Sequence, residues 1–154
     1  MEAEQRLELL PEYQYLVFRA GGERYCLSAL EVEEVVEWHD LTPIPLVPPY
    51  VMGIFNLRGA IIPALDIAYG ETHRAGVPPK HVVVTSWNGE GGRTIRVGLA
   101  ADEVNGICLS STLAMVEEAS PEGRHCRGML RYGDGYALAL DLSRLAETFP
   151  MPWI

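Results

Sequence analysis

The chain has 154 residues, 48% of them hydrophobic, which is the size and composition of one domain with a real core. Its formal net charge of −9 argues against a sequence-independent nucleic-acid binder, because such proteins neutralise phosphates with Lys and Arg. No apolar run approaches the roughly 18 residues of a membrane span, and the acidic start lacks the order of a signal peptide. The sequence therefore predicts a cytoplasmic protein.

The N-terminal part predicts a tail followed by a β-hairpin. Residues 1–12 form either a short helix, ended by Pro11, or a tail. Two apolar segments, 15–19 and 24–27, flank a Gly21-Gly22 turn and are typical of a hairpin.

A short helix and a proline-rich connector follow. Ser28, with Glu31 three residues later, fits a capping box, and the β-branched residues Val32, Val35 and Val36 come next, so a short helix is expected to pass into a strand. The segment 41–50 contains four prolines, which fix φ and remove backbone donors. It is therefore predicted to be an ordered connector without ladder hydrogen bonds.

A second hairpin is predicted from strands 52–57 and 60–67, joined at Arg58-Gly59. Pro63 lies in its second arm and predicts an edge strand or a bulge. The polar, Gly- and Pro-containing segment near residues 70–80 is the best candidate for an internal linker.

The β pattern then resumes. Strands 82–87 and 94–100 flank the glycine-rich loop 88–92, which favours positive φ, and a further strand covers 103–109. Residues 110–124 give no clear period and are predicted to be irregular.

The C-terminal part predicts a last hairpin, a helix and a tail. Strands 128–132 and 136–140 are followed by Asp141, which is expected to cap a helix over 142–148, with a tail at 149–154. About nine or ten short strands with glycine turns indicate barrels or a sandwich, not an α/β enzyme.

The search for chemistry finds no catalytic, cofactor or metal constellation. The Gly53 to Gly59 run lacks the Lys-Ser/Thr ending of a phosphate loop, and no nucleophile elbow is present. Neither the histidines nor the cysteines have the spacing of a metal site or a disulfide framework: His39, His73, His81, His125, Cys26, Cys108 and Cys126. The sequence therefore predicts no enzyme, no cofactor and no bound metal.

The most informative segment is Asn56-Leu57-Arg58-Gly59, which places a planar, five-donor guanidinium at a predicted hairpin turn. Its plain interpretation is a solvated turn in which the glycine supplies positive φ. Its functional interpretation is a docking surface that presents both backbone and arginine.

At these residues the chain resembles the CheW family. The central segment of that resemblance runs through Pro48, Tyr50, Val51, Gly53, Ile54, Asn56, Leu57, Arg58, Gly59, Ile61, Ile62, Pro63, Leu65 and Asp66. The segments 15–18, 24–27, 32–35, 98–104 and 128–145 are also similar to the family, so the resemblance covers about residues 13–148.

The resemblance implies a fold of two SH3-like five-stranded β-barrel subdomains, packed as one CheW-like module with short helices and a hydrophobic groove between them. It implies a non-enzymatic adaptor that couples chemoreceptors to a CheA-type histidine kinase. The partners would be the kinase regulatory domain and the cytoplasmic tip of the receptor, in membrane-associated receptor arrays.

The resemblance also implies where docking occurs. Gly53, Asn56 and Arg58 fall where the family supports receptor and kinase coupling, while Val32, Glu34 and Val35 fall on the strand that lines the receptor-facing groove. The predicted partner-binding residues are Val32, Glu34, Val35, Gly53, Ile54, Asn56, Leu57, Arg58 and Gly59.

Two alternatives to the adaptor role remain open. One is a small-ligand- or nucleotide-binding β-barrel regulatory protein that uses loop 88–92 and the groove between the barrels. Another is an enzyme assembled from distant residues.

The Asn105-Gly106 pair is locally typical of a type I′ hairpin, whereas the resemblance implies that one strand runs through it. We follow the resemblance and expect a bulge or a strand end there.

Overall fold

The structure of the chain is a computed structural model that describes residues 14–69, 78–88, 90–109 and 125–151. The predictions for residues 1–12, 110–124 and 152–154 lie outside the described residues. The strands are β1 (Gln14–Ala20), β2 (Glu23–Ser28), β3 (Val32–Glu37), β4 (Val51–Leu57), β5 (Ala60–Leu65), β6 (His81–Asn88), β7 (Thr94–Ala101), β8 (Glu103–Leu109), β9 (Cys126–Tyr132) and β10 (Gly135–Leu140). A helix, α1 (Leu142–Thr148), and the 3₁₀ turns Ala29–Glu31 and Glu90–Gly92 complete the described structure.

The strands form two five-stranded sheets of the same design. Sheet 1 has the order β8-β1-β2-β10-β9, and sheet 2 has the order β3-β6-β7-β5-β4. In each sheet, two antiparallel hairpins meet at a central parallel pair, β2 with β10 or β7 with β5. The predicted mainly β fold with two five-stranded subdomains is therefore confirmed.

The inner strands of each sheet are buried on both faces, which explains near-continuous apolar runs such as 82–84. Sheet 1 encloses a cluster of its own that includes Val17 and Cys26, and sheet 2 encloses one that includes Phe55 and Ile62. The opposite faces meet in a shared core with α1, which contains among others Phe18, Leu27, Val83, Leu99 and Leu145.

Sheet 2 is a continuous insertion within sheet 1. The chain passes from β2 to β3 through the 3₁₀ turn Ala29–Glu31, where the Ser28 hydroxyl accepts a hydrogen bond from the Leu30 amide. It returns to β8 at Asp102, whose carboxylate accepts a hydrogen bond of 2.7 Å from the Gly21 amide. The segment near residues 70–80 joins β5 and β6, which both belong to sheet 2, and its assignment as an internal linker stays a prediction.

The four predicted hairpins all occur, but Pro63 does not lie on an edge strand. β5 is internal in sheet 2, between β7 and β4, so the edge-strand prediction is wrong. The backbone N–H and C=O of Ile54, the partner of Pro63, form their hydrogen bonds with Thr42, so Pro63 and Ile54 are a non-hydrogen-bonded pair. Pro63 is therefore tolerated, because this pairing needs no amide hydrogen from it. The bulge is in β4, where the register shifts between Val51 and Gly53.

The connector 41–50 has one ladder contact that was not expected. Thr42 exchanges two backbone hydrogen bonds of 2.9 Å with Ile54, so the connector begins as a short extension of sheet 2. Its far end is held by Tyr50, whose ring packs edge-on against Phe149 and whose hydroxyl donates to the Pro150 carbonyl. The connector is therefore fixed at both ends.

Two local predictions are confirmed. β8 runs through Asn105-Gly106 with a shift of register against β1, as a strand with a bulge requires. The Asp141 carboxylate caps α1 by accepting hydrogen bonds from the amides of Ser143 and Arg144, at 3.0 and 3.1 Å.

Candidate partner-docking site

The turn between β4 and β5 has both central residues in the left-handed region. Arg58 has φ 49° and Gly59 has φ 89°, the combination that a two-residue type I′ turn demands. The Asn56 carboxamide oxygen accepts a hydrogen bond of 2.9 Å from the Gly59 amide and so closes the turn. Sequence reasoning assigns positive φ to the glycine alone, whereas the arginine adopts it too, at a cost of about 1 kcal/mol.

The side chain of Arg58 joins the two edges of sheet 2. It is 71% exposed and forms an ion pair with Glu34 of β3, which lies 24 residues earlier in the chain. β3 and β4 are the two edge strands of this sheet, and the pairing of Thr42 with Ile54 also brings them together. The structure therefore places two of the predicted site residues, Glu34 and Arg58, in direct contact.

A bulge in β3 adds a second ion pair that the sequence analysis missed. The register of β3 against β6 shifts between Val32 and Glu34, so Glu33 is the extra residue and its side chain is re-aimed. Glu33 accepts a hydrogen bond of 2.7 Å from Nε of Arg96 on β7. No local signal predicts a contact between residues 63 positions apart.

Gly53 has a packing role within the fold. Its φ is 148°, and a Cβ built at this position would lie 2.8 Å from both Leu41 Cβ and the Thr42 carbonyl oxygen. The glycine thus permits the close approach that the Thr42–Ile54 pairing needs. Its predicted role in docking stays a prediction.

The four apolar residues predicted for docking have different surroundings. Val32 packs against the shared core, and Leu57 packs against the cluster enclosed by sheet 2. Val35 on edge strand β3 is 36% exposed, and Ile54 is half-buried. Of these four residues, Val35 is therefore the most exposed.

Two exposed apolar residues were not singled out from the sequence. Ile61, directly after the turn, is 61% exposed. Leu46 is fully exposed and has φ 63°, and it lies between Pro45 and Pro48 in the connector. The dense prolines were a signal for a fixed connector but not for an apolar side chain at its tip.

The loop proposed for nucleotides lies beside an open cleft of about 690 Å³. The cleft lies between the β6–β7 end of sheet 2 and α1, and its lining includes Glu31, Trp87, Asn88 and Glu147. Two of these residues are acidic, and none of the described lining residues is a Lys or Arg that could pair with a phosphate. The geometry does not favour the nucleotide alternative.

The thiols are poorly suited to nucleophilic chemistry. Burial, reinforced by the neighbouring thiol of Cys108, raises the pKa of Cys26 to about 12, and burial also raises the pKa of Cys108.

Buried His125 lies between the rings of Tyr25 and Phe149, with both centroid distances 5.9 Å. Among the described residues, no group of three or more His, Cys, Asp or Glu side chains is placed to hold a metal ion.

Comparison with known proteins identifies the family. The CheW-like domain family matches residues 14–149. This chain belongs to the CheW family. The relatives it matches include proteins named chemotaxis protein CheW and a solved structure described as a scaffolding protein.

Individual relatives support the assignment. The chemotaxis protein CheW of Rhizobium meliloti is 33% identical over 99 residues, which are 64% of this chain and 61% of that protein. The CheW of Treponema pallidum is 27% identical over 87% of this chain and 82% of its own length. The crystal structure of the scaffolding protein TtCheW from Thermoanaerobacter tengcongensis is 25% identical, with a TM-score of 0.74 over 86% of each chain.

The alignment with the Rhizobium meliloti relative spans only about three fifths of that protein's length. In the part of the chain that the structure describes, no helix is long and apolar enough to cross a membrane.

Proposed function

We propose that this CheW-family chain is a non-enzymatic adaptor that couples chemoreceptors to a CheA-type histidine kinase. It would bind the regulatory domain of the kinase and the cytoplasmic tip of the receptors, and it would be recruited to membrane-associated receptor arrays. The membership of the family supports the class of partner, and the β4–β5 turn supports the place of contact.

The observation that carries the proposal is the presentation of Arg58. Its backbone adopts a strained conformation that the Asn56 side chain and Gly59 stabilise, while its guanidinium stays 71% exposed on the surface. A fork held at a rigid turn is well suited to a bidentate bond with a carboxylate of a partner. Val35 and Ile54 supply apolar surface nearby, as a helix laid against a groove requires.

Co-sedimentation with receptor-containing membranes and a CheA-type kinase tests this role. Arg58→Glu is expected to weaken recruitment about tenfold or more, because it replaces an attraction with a repulsion. Arg58→Lys is expected to be intermediate, since it keeps the charge and loses the fork. Arg131→Glu, an exposed arginine on β9 of sheet 1, is the matched control and is expected to leave recruitment unchanged.

Circular dichroism and thermal melting show whether each variant is folded. A folded Arg58→Glu variant that still pellets with receptor and kinase to the wild-type extent would contradict the proposed role of the turn.

A charge swap separates direct contact from positioning. The double variant Glu34→Arg, Arg58→Glu keeps an ion pair between the two edges of sheet 2 but reverses its direction. Recovery of recruitment would show that the pair acts by holding β3 against the turn. Continued loss would show that the partner contacts the Arg58 guanidinium itself.

A further inference from the structure

The parallel junction of sheet 2 leaves a gap that the ladder does not fill. β5 and β7 pair only at Ala64 with Gly98 and Leu65 with Leu99. Before this junction the two strands diverge, and the β5 side of β7 has no ladder partner from Thr94 to Arg96 among the described strands. Half of β7 is therefore an open edge inside a sheet.

The gap is a groove of about 440 Å³ with an apolar floor. Ile54, Ile61 and Pro63 line it from the β4–β5 hairpin, and Ile95 lines it from β7. Pro63 has no amide hydrogen, so the hairpin side offers fewer backbone donors than the β7 side. A chain entering the groove would find its main hydrogen-bonding partner in β7.

The rim of the groove is basic in a chain of net charge −9. Among the described residues that line it, Arg93 and Arg96 are the charged ones. Arg93 is exposed and forms no ion pair with any described residue, and Glu33 engages Arg96 through Nε, which leaves its outer nitrogens for a second carboxylate. The charge of this groove is opposite to that of the molecule, which defines the chemistry of its occupant.

We propose that an extended, acidic segment of a partner protein binds in this groove by adding a strand to β7 along Thr94–Arg96. Backbone hydrogen bonds to β7 would give affinity, apolar side chains would cover Ile61 and Pro63, and carboxylates would pair with Arg93 and Arg96. This binding mode requires neither the receptor nor the kinase, although its groove shares Ile54 with the surface proposed for the adaptor role.

The corresponding gap in sheet 1 is covered differently. β2 and β10 also pair at only two positions, Tyr25 with Leu138 and Cys26 with Ala139. There the guanidinium of Arg24 on β2 lies over the ring of Tyr132 on β9, 5.2 Å from its centroid, and so spans β10. The repeated architecture thus creates two gaps, and sheet 1 covers its own with an arginine and an aromatic ring.

Fluorescence anisotropy with labelled octapeptides tests the proposal on the isolated protein. The probe is an acetylated peptide of alternating Glu and Val. Two matched peptides serve as comparisons, one with Lys in place of every Glu and one Glu-Val peptide with every backbone amide N-methylated. We expect the Glu-Val peptide to bind at least tenfold more tightly than either, because the first comparison reverses the charge and the second removes the backbone donors.

Variants and hydrogen exchange locate the site. Arg93→Glu is expected to weaken the Glu-Val peptide about tenfold, whereas Arg131→Glu changes the net charge equally and is expected to have no comparable effect. The bound peptide is expected to slow amide exchange along Thr94–Arg96.

Three results would each overturn the proposal: no binding of the Glu-Val peptide at millimolar concentration, equal binding of the N-methylated peptide, or an Arg93→Glu variant that binds like the wild type. Because the assay contains no receptor or kinase, its failure leaves the adaptor role to its own test.

Discussion

At the scale of single residues, the glycine at position 53 and the arginine at position 58 show two different uses of an unusual backbone. Gly53 lets β4 approach the connector so closely that a side chain has no room. Arg58 accepts a strained conformation although it carries a long side chain, and that strain points its guanidinium toward Glu34 and solvent. The first residue serves packing, and the second is a candidate for recognition.

Gly53→Ala is expected to lower the free energy of unfolding by about 2–3 kcal/mol, because the new Cβ would contact Leu41 and Thr42 at 2.8 Å and φ is unfavourable. Gly135→Ala, where the nearest atom is 4.0 Å away and φ is ordinary, is the matched control and is expected to change it by less than about 1 kcal/mol. Urea denaturation measures both. Equal effects of the two substitutions would contradict this account of Gly53.

Glu31 makes stability depend on pH. Burial, only partly offset by Arg127 with its nitrogen 3.6 Å away, raises the pKa of Glu31 above its ordinary 4.5. The folded state then holds this proton more tightly than the unfolded state. The contribution of Glu31 to the free energy of unfolding therefore falls as pH rises from 4.5 through the raised pKa. Urea denaturation from pH 4 to 7 measures the free energies of unfolding of Glu31→Gln and of the wild type. The difference between them is expected to change in favour of the variant as pH rises. A loss would show that attraction to Arg127 outweighs burial.

At the scale of elements, β3 is an edge strand held from both sides by ion pairs. Glu33 forms an ion pair with Arg96 on β7, on the far side of β6, and Glu34 forms one with Arg58 in the β4–β5 turn, at the opposite edge of sheet 2. The bulge makes this possible, because it re-aims one of two successive side chains that would otherwise lie on opposite faces. Ion pairs on two sides therefore hold in place the strand that is predicted to line the receptor-facing groove.

Replacing both carboxylates is expected to loosen β3 locally. In the double variant Glu33→Gln, Glu34→Gln the amides of β3 are expected to exchange with solvent about threefold to tenfold faster, since each exposed pair contributes at most about 1 kcal/mol. Amides of β1, in the other sheet, are the internal control. High salt is expected to mimic the effect in the wild type. Unchanged exchange in β3 would mean that backbone pairing with β6 alone holds the strand.

At the scale of the whole molecule, the two sheets depend on one shared core. Each sheet encloses a small apolar cluster, but the largest cluster contains side chains from both sheets and from α1. Removing part of that core therefore destabilises the two sheets together rather than one of them.

Leu145→Ala tests this dependence, because Leu145 is fully buried at the centre of α1. It is expected to cost about 2–5 kcal/mol. The test is made in a background that carries Trp38→Phe and Trp153→Phe, so that fluorescence reports on Trp87 of sheet 2 alone. This fluorescence and far-UV circular dichroism, which reports on the whole molecule, are expected to shift to the same lower urea midpoint. Two separate transitions would show that the sheets unfold independently.

Sequence reasoning reached the hairpins and the α1 cap because their signals are local. Gly21-Gly22, Arg58-Gly59 and Asp141 each act within a few residues. It did not reach the return of the chain at Asp102, the internal position of β5 or the pairing of Glu34 with Arg58, because these depend on strands that meet only in the folded state. The family resemblance supplied the two subdomains, which no local signal encodes.

The insertion of sheet 2 within sheet 1 has a consequence for synthesis on the ribosome. β1 and β2 emerge first, but their neighbours β8 and β10 follow only after the whole of sheet 2 has been made. At bacterial rates of translation that delay is several seconds to about fifteen seconds. During it, sheet 2 can complete its own strand order, while the face of the first hairpin that belongs to the interior of sheet 1, including Val17 and Cys26, stays uncovered. The nascent chain thus offers a chaperone a defined early target that the finished protein conceals.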